Sequence, residues 1–196
     1  MSQEDEARYG FLNAKALSGI EEDKLISWDC GAGSYQICSK ESVHYDAFGS
    51  GTIHAQAMVG KDSSPNPFSG NDIQKLLNYL HQNLKEAPTW VKNTENLPVS
   101  IGTSLSIFNQ MRVLSGKDQF SAEDVELILE RCVGRQDNEL YDLETQTSLS
   151  DYVAKLENSH YIVPKLCLLL GVMRKCEINQ LKFHQVNGNC AALLID

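Results

Sequence analysis

The sequence predicts a layered α/β domain with a mixed sheet, in which an antiparallel hairpin region is flanked by helices. Three observations predict it. Segments rich in β-branched and aromatic residues cluster early, at Leu25–Asp29, Ser34–Ser39 and Ser42–Phe48. Only a few Gly, Ser, Lys and Glu residues join them, which is hairpin spacing. Beyond these, segments with helical period alternate with short apolar strands, the pattern of a sheet covered by helices.

The elements follow in order. Glu4 to Leu17 predicts a helix with Ala7, Phe11 and Ala14 on one face and Ser2 as N-cap. After the three hairpin strands, Gly49-Ser50-Gly51 breaks the pattern and Thr52–Val59 predicts a short helix. Lys61–Gly70, with Pro65, Pro67 and three serines, is a loop. Asn71–Leu84 places Ile73, Leu76, Leu77, Leu80 and Leu84 on one helical face, and Pro88 marks its latest end. Pro98-Val99-Ser100-Ile101 predicts a buried strand, from which Gly102 turns into a helix running to about Leu114. Ser121-Ala122-Glu123-Asp124 caps a helix carrying Val125, Ile128, Leu129 and Cys132 inward. Ser148–Glu157 and His160–Lys175 predict two more helices, Leu181-Lys182-Phe183 a last strand and Asn189–Leu194 a terminal helix.

Composition narrows the function. The chain has 196 residues, and 17 basic against 26 acidic residues give a net charge of −9. That balance predicts no nucleic-acid partner, which needs a basic face. No apolar run reaches the roughly 18 residues of a membrane span. The longest runs only from Leu166 to Met173. The acidic start, Met1 to Glu6, predicts no signal peptide. Six cysteines show no CxxC pair or zinc-finger spacing, which predicts reduced thiols and a cytoplasmic location. The five histidines show no ligand spacing.

The stretch Asp29-Cys30-Gly31-Ala32-Gly33-Ser34 lies between two strand segments. A carboxylate ending a strand, then small residues, then a hydroxyl, suits a phosphate-binding hairpin. Glycines admit close approach of backbone N–H groups to an anion, and the Asp can hold a metal ion or polarise a water. By itself the stretch is equally an ordinary Gly-rich β-turn.

Four segments in order resemble the exopolyphosphatase/guanosine pentaphosphatase (Ppx/GppA) family, of the actin-like and sugar-kinase ATPase superfamily. Ser2-Gln3-Glu4-Asp5-Glu6-Ala7-Arg8 is similar to its Ser-Gly-x-Glu-Glu-Ala-Arg segment. Trp28 to Ser34 resembles its Asp-Ile-Gly-Gly-Gly-Ser loop, and Ser100 to Ser106 falls at its second Gly-rich loop. Tyr161-Ile162-Val163-Pro164 resembles its Val-Ile-Val-Pro-Gly segment. The resemblance implies one domain over 1–196, equivalent to the C-terminal lobe of a two-lobed, ribonuclease H-like fold.

By position it implies that Glu6 is the catalytic carboxylate that activates a water, and that Asp29 holds Mg2+ or orients that water. Gly31, Gly33 and Ser34 would cradle one phosphate. Gly102, Thr103 and Ser104 would form a second cradle at a helix N-terminus, where the dipole favours anions. The implied ligand is inorganic polyphosphate or guanosine pentaphosphate, and the implied partner is a missing first lobe or a second copy. Read without the family, Glu6 complements a helix dipole, Arg8 is a surface partner or cap, and Gly102 to Ser104 is a helix start.

Several positions depart from the family pattern. Ala32 replaces a glycine, Gln36 a glutamate, and Leu105 and Lys165 two further glycines. Two function classes therefore stand. One is a phosphohydrolase lobe acting on phosphoanhydrides. The other is a catalytically inactive module of the same fold that binds phosphate or nucleotide, or dimerises.

Overall fold

A computed structural model describes residues 2–92, 97–146 and 155–186. Helix α1 (Gln3–Ser18) is followed by three strands, β1 (Ser27–Cys30), β2 (Tyr35–Cys38) and β3 (Val43–Asp46). Two helices come next, α2 (Ser50–Ala57) and α3 (Gly70–Asn83), then β4 (Val99–Gly102) and α4 (Ile107–Ser115). Strand β5 (Gln119–Ser121) leads into α5 (Ala122–Cys132) and α6 (Asp137–Thr145). A 3-10 turn over Leu156–Tyr161 enters α7 (Ile162–Lys175), and β6 (Gln180–Gln185) is the final strand described.

The six strands form one sheet in the order β3-β2-β1-β4-β6-β5. Strands β1, β4 and β6 run parallel, while β2, β3 and β5 pair antiparallel with their neighbours. The predicted mixed sheet with an antiparallel hairpin region is therefore present. The C-terminal ends of three parallel strands share one edge, where open α/β sheets gather their ligands.

Among the described residues, α1 is the helix that covers one face. Its Ala7, Phe11 and Ala14 pack on Leu25, Cys38, Val99 and Ile101. The other helices bury the opposite face in a larger core, which also takes Trp28 and Cys30 of β1. Side chains alternate along a strand, so Ser27 and Asp29 face α1. Gly10 of α1 faces this patch, where a Cβ on it would make ordinary contact with Ile101 at 3.4 Å and Asp29 at 3.8 Å.

Helix α7 runs through the larger core. Every residue from Ile162 to Met173 is buried, Lys165 among them. A helix apolar all round needs partners on all sides, and α2, α3, α4 and α5 supply them. Pro164 sits in its first turn, where its missing N–H costs no intrahelical bond. Trp28 meets Phe108 of α4 edge-on at 5.0 Å, tying α4 to β1.

Several predicted bounds move. Helix α1 begins at Gln3 because Ser2 accepts from Asp5 N while Asp5 bonds back to the Ser2 N–H, a capping box. The helix expected from Gly102 begins only at Ile107, because Gly102 still pairs in β4 and Ser106 caps the helix by accepting from Asn109 N. Of the helix expected over Ser148–Glu157, residues 148–154 lie outside the described residues; Lys155 is extended and the last two residues belong to the 3-10 turn. The helix expected over Asn189–Leu194 also lies outside them. Strand β5 and helix α6 were not anticipated.

Arg8 caps a turn. Its guanidinium donates to the carbonyls of Ser39 (2.9 Å), Lys40 (2.7 Å) and Glu41 (3.2 Å), closing the β2–β3 hairpin onto α1. Three acceptors fanned around one planar group suit Arg and not the point charge of Lys. Arg8→Lys is expected to lower the urea midpoint, by about 1–2 kcal/mol of stability, because hydrogen bonds to a charged donor are lost. An unchanged midpoint would show the cap to be dispensable.

Candidate active site

Two loops meet at the C-terminal ends of the parallel strands. Asp29, Cys30, Gly31 and Ala32, at the end of β1, face Gly102, Thr103, Leu105 and Ser106 after β4, across a cleft of about 310 Å³. Ser50 and Val186 complete its lining.

The β1–β2 turn is held from behind by α2. Ser50 N donates to Gly31 O (2.9 Å), and Gly51 N (2.8 Å) and Thr52 N (3.3 Å) donate to Ala32 O. The orphan donors of a helix N-terminus are thereby satisfied by the loop itself. Gly49 makes this docking possible, since a Cβ there would lie 2.4 Å from the Ala32 carbonyl carbon and oxygen. With two carbonyls turned toward α2, the N–H groups of Ala32, Gly33 and Ser34 donate to no protein acceptor among the described residues. Successive free amides of this kind make an anion-binding concavity. Ala32 is not in the left-handed backbone region, so its methyl brings no strain.

Asp29 is the carboxylate of the cleft. Burial raises its pKa to about 6, opposed by a backbone hydrogen bond at Cys30 and assisted by the Glu6 charge. Glu6, on α1, therefore lies near Asp29, although it does not line the cleft. Gln36 pairs with Asp29 across the β1–β2 ladder, so the two side chains are neighbours on the α1 face. Its Nε2 donates to Gln3 Oε1 (2.5 Å), Ser34 Oγ (2.9 Å) and Glu6 Oε2 (3.3 Å). Gln3 Nε2 also reaches Glu6 Oε2, at 3.4 Å. Among the described residues, the second Glu6 oxygen, Oε1, accepts no hydrogen bond.

A Mg2+ ion takes oxygen ligands, commonly one or two carboxylates together with substrate phosphates. The residues present fit that requirement. Asp29 and Glu6 are two nearby carboxylates whose repulsion a cation would relieve, and Gln36 Oε1 is a buried oxygen without a hydrogen-bond partner. Among the described residues, no group of three or more His, Cys, Asp and Glu gathers as a metal site, so a third charged ligand would come from outside this set.

The sequence-based candidates thus divide. Asp29, Gly31, Gly102 and Thr103 line one cleft, and Glu6 approaches it through Asp29 and Gln36. Gly33 and Ser34 stand at the tip of the β1–β2 turn. Ser104 does not line the cleft; its carbonyl accepts from Asn109 Nδ2 at 2.9 Å. The second cradle is not a helix N-terminus: Gly102 closes β4, and Thr103 to Leu105 form a loop in which Thr103 Oγ1 accepts from Leu105 N. The loop needs glycine at its root, since a Cβ on Gly102 would sit 2.5 Å from Ser106 Cβ. Ser50, Ser106 and Val186 line the cleft without having been given a role from the sequence. Ser106 carried a signal, as a serine before an apolar helical run; Val186 carried none.

No family model matches this chain, and no curated protein does. Solved structures do. The type II variant of the Aquifex aeolicus Ppx/GppA phosphatase superposes with a TM-score of 0.70 at 15% identity, covering 99% of this chain and 63% of that one. An exopolyphosphatase-like protein gives 0.72 at 11% identity, covering 100% and 66%. An exopolyphosphatase from Cytophaga hutchinsonii gives 0.59 at 14% identity, covering 92% and 59%. The chain therefore spans less than two thirds of the length of these proteins. Over that span, the mixed sheet and its helices are the fold of the Ppx/GppA phosphatases.

Proposed function

We propose that the chain is the C-terminal lobe of a Ppx/GppA-type phosphohydrolase acting on inorganic polyphosphate or guanosine pentaphosphate in the cytoplasm. The observation that carries this reading is the meeting, at one sheet edge, of three free loop amides with a buried carboxylate and a second carboxylate beside it. The five cysteines among the described residues are buried and unpaired, which suits a reducing compartment.

The mechanism uses groups already placed. The amides of Ala32, Gly33 and Ser34 bind non-bridging oxygens of the phosphate chain. Thr103 bounds the far wall. Glu6 is fixed through Oε2, and Oε1 accepts a proton from the attacking water. The water oxygen bonds to the terminal phosphorus, the bridging P–O bond breaks, and the shortened chain leaves with its electron pair. Asp29 orients the water. Asp29 and Gln36 Oε1 would hold Mg2+, which would supply charge neutralisation for the transferring phosphoryl group. A second wall, from a first lobe or a second copy, would complete the clamp, since phosphoryl transfer rests on positioning and charge.

One observation favours the inactive binding module. Gln36 presents an amide to Glu6 and brings no charge of its own. The two readings separate on phosphate release from short polyphosphate with Mg2+. Glu6→Gln is expected to lower the rate by about 10²–10⁴-fold, the usual worth of a general base. Equal rates for variant and wild type would remove Glu6 from the chemistry. Calorimetric binding of polyphosphate with no turnover would establish the binding module.

A further inference from the structure

The cleft has a charge problem. Among the described residues its lining includes one carboxylate, Asp29, and no Lys or Arg, so phosphate bound there without Mg2+ would meet only loop amides, which compensate its charge weakly. We propose that Lys165, buried in the wall behind the cleft, is the fixed counter-charge that sets its affinity for phosphate. The proposal rests on the phosphate-binding reading above and names a residue which that reading does not use.

The geometry is specific. Lys165 is in the first turn of α7 and only 7% exposed. Its Nζ donates to Leu105 O at 2.9 Å, and Leu105 lines the cleft. Lys165 also interacts electrostatically with Cys30, a lining residue of the opposite loop. The ammonium thus stands behind both walls. Nζ lies 5.7 Å from the centre of the Tyr161 ring, a cation–π distance. An ammonium has three protons to donate, and Leu105 O is its one hydrogen-bond acceptor among the described residues. The buried carboxylate of Glu144 already favours the charged form of Lys165, and an anion in the cleft would be a second favourable partner on the other side.

The groups around it are few. Glu144 of α6, buried and held by Gln110 of α4, favours the charged form, as does Cys30. Tyr161 covers it, and beyond Tyr161 stand His54 of α2 and His160, each tilted against that ring. Burial, the largest influence, lowers the Lys165 pKa. The positive charge is therefore lost at a lower pH than that of an exposed lysine.

The test is calorimetry with inorganic phosphate on the wild type and Lys165→Met, which keeps the length and apolar stem. The wild type is expected to bind, and the variant about tenfold more weakly, as for one charge removed at partly screened distance. A structural role would not give the second signature. On the alkaline side, where phosphate stays a dianion, wild-type affinity falls toward that of the variant as Lys165 deprotonates, at a lower pH than an exposed lysine would, while the variant stays flat. Equal affinities, or parallel pH profiles, overturn the role of Lys165 and leave the phosphate reading standing. No binding by the wild type overturns both. If Lys165→Met does not fold, the wild-type alkaline profile decides: a flat one overturns the proposal.

Discussion

Asp29→Asn is expected to unfold at a higher temperature than the wild type at neutral pH while binding Mg2+ and releasing phosphate more poorly. The folded carboxyl holds its proton to about pH 6, chiefly because burial disfavours the anion, and the Glu6 charge adds to this. In the unfolded chain the same group titrates at its ordinary value of 3.8. Unfolding therefore releases a proton between those two values, and stability contributed by this group is present below pH 3.8 and lost as pH rises through 6. At neutral pH the wild type carries a buried anion that Asn does not. The gain is about 2–3 kcal/mol at one pKa unit per 1.36 kcal/mol, or a rise in melting temperature of roughly 4–12 °C for a chain of this size. Near pH 4 the two proteins should melt almost together. A variant that melts lower at neutral pH would show that the Asp29 charge stabilises the fold, and would remove the case for a strained functional carboxylate. Stability surrendered at one buried charge is the usual mark of a site kept for chemistry.

Much of the fold was legible because its signals are local. The capping serines Ser2 and Ser121 and the spacing of Ile73, Leu76, Leu77 and Leu80 each mark an element without reference to the rest of the chain. Strand β5 was not legible, because it is three residues long and only Phe120 of it is buried. It forms because β6 offers a partner edge, which is tertiary information. Helix α6 turns just Leu140, Leu143 and the acidic Glu144 inward, too few apolar positions to show a helical period. The start of α4 was misplaced because Gly102 looks like a breaker in sequence, whereas in the fold it is the point at which a loop turns back against Ser106.

The candidate site divides along the same line. Asp29 and Gly31 were legible from the composition of one turn. Glu6 was placed by resemblance alone; its proximity to Asp29 depends on α1 packing across β1 and β2, which is tertiary information. Lys165 could not be read as a charge beside the cleft. In sequence it is one polar residue at the head of an apolar helix, and only the packing of α7 under the β4–α4 loop brings it to Leu105.

Gly49 is expected to be the least replaceable glycine of the site. Its backbone is extended, at φ −132° and ψ −178°, a conformation open to any residue. The requirement is purely one of space. A methyl on Gly49 would stand 2.4 Å from the Ala32 carbonyl carbon and oxygen and 2.6 Å from Gly31 O. All three contacts are backbone, and the same carbonyls accept from Ser50, Gly51 and Thr52, so no side-chain rotation relieves the clash. Either α2 or the β1–β2 turn must withdraw. Withdrawal breaks hydrogen bonds on both sides and frees the carbonyls that keep the loop amides turned outward. Gly49→Ala should cost about 1–3 kcal/mol from overpacking, with up to roughly 1 kcal/mol more for each hydrogen bond lost. Gly33→Ala is the matched control. It lies on the same turn, has nothing within 4 Å of its Cβ position and has no left-handed φ. Its melting temperature should match the wild type. Phosphate affinity should then fall in Gly49→Ala even well below its melting temperature, since the cradle is a product of the docking. If Gly49→Ala melts with the wild type and binds phosphate equally, the loop is not held by α2, and the free amides of Ala32, Gly33 and Ser34 are an ordinary turn.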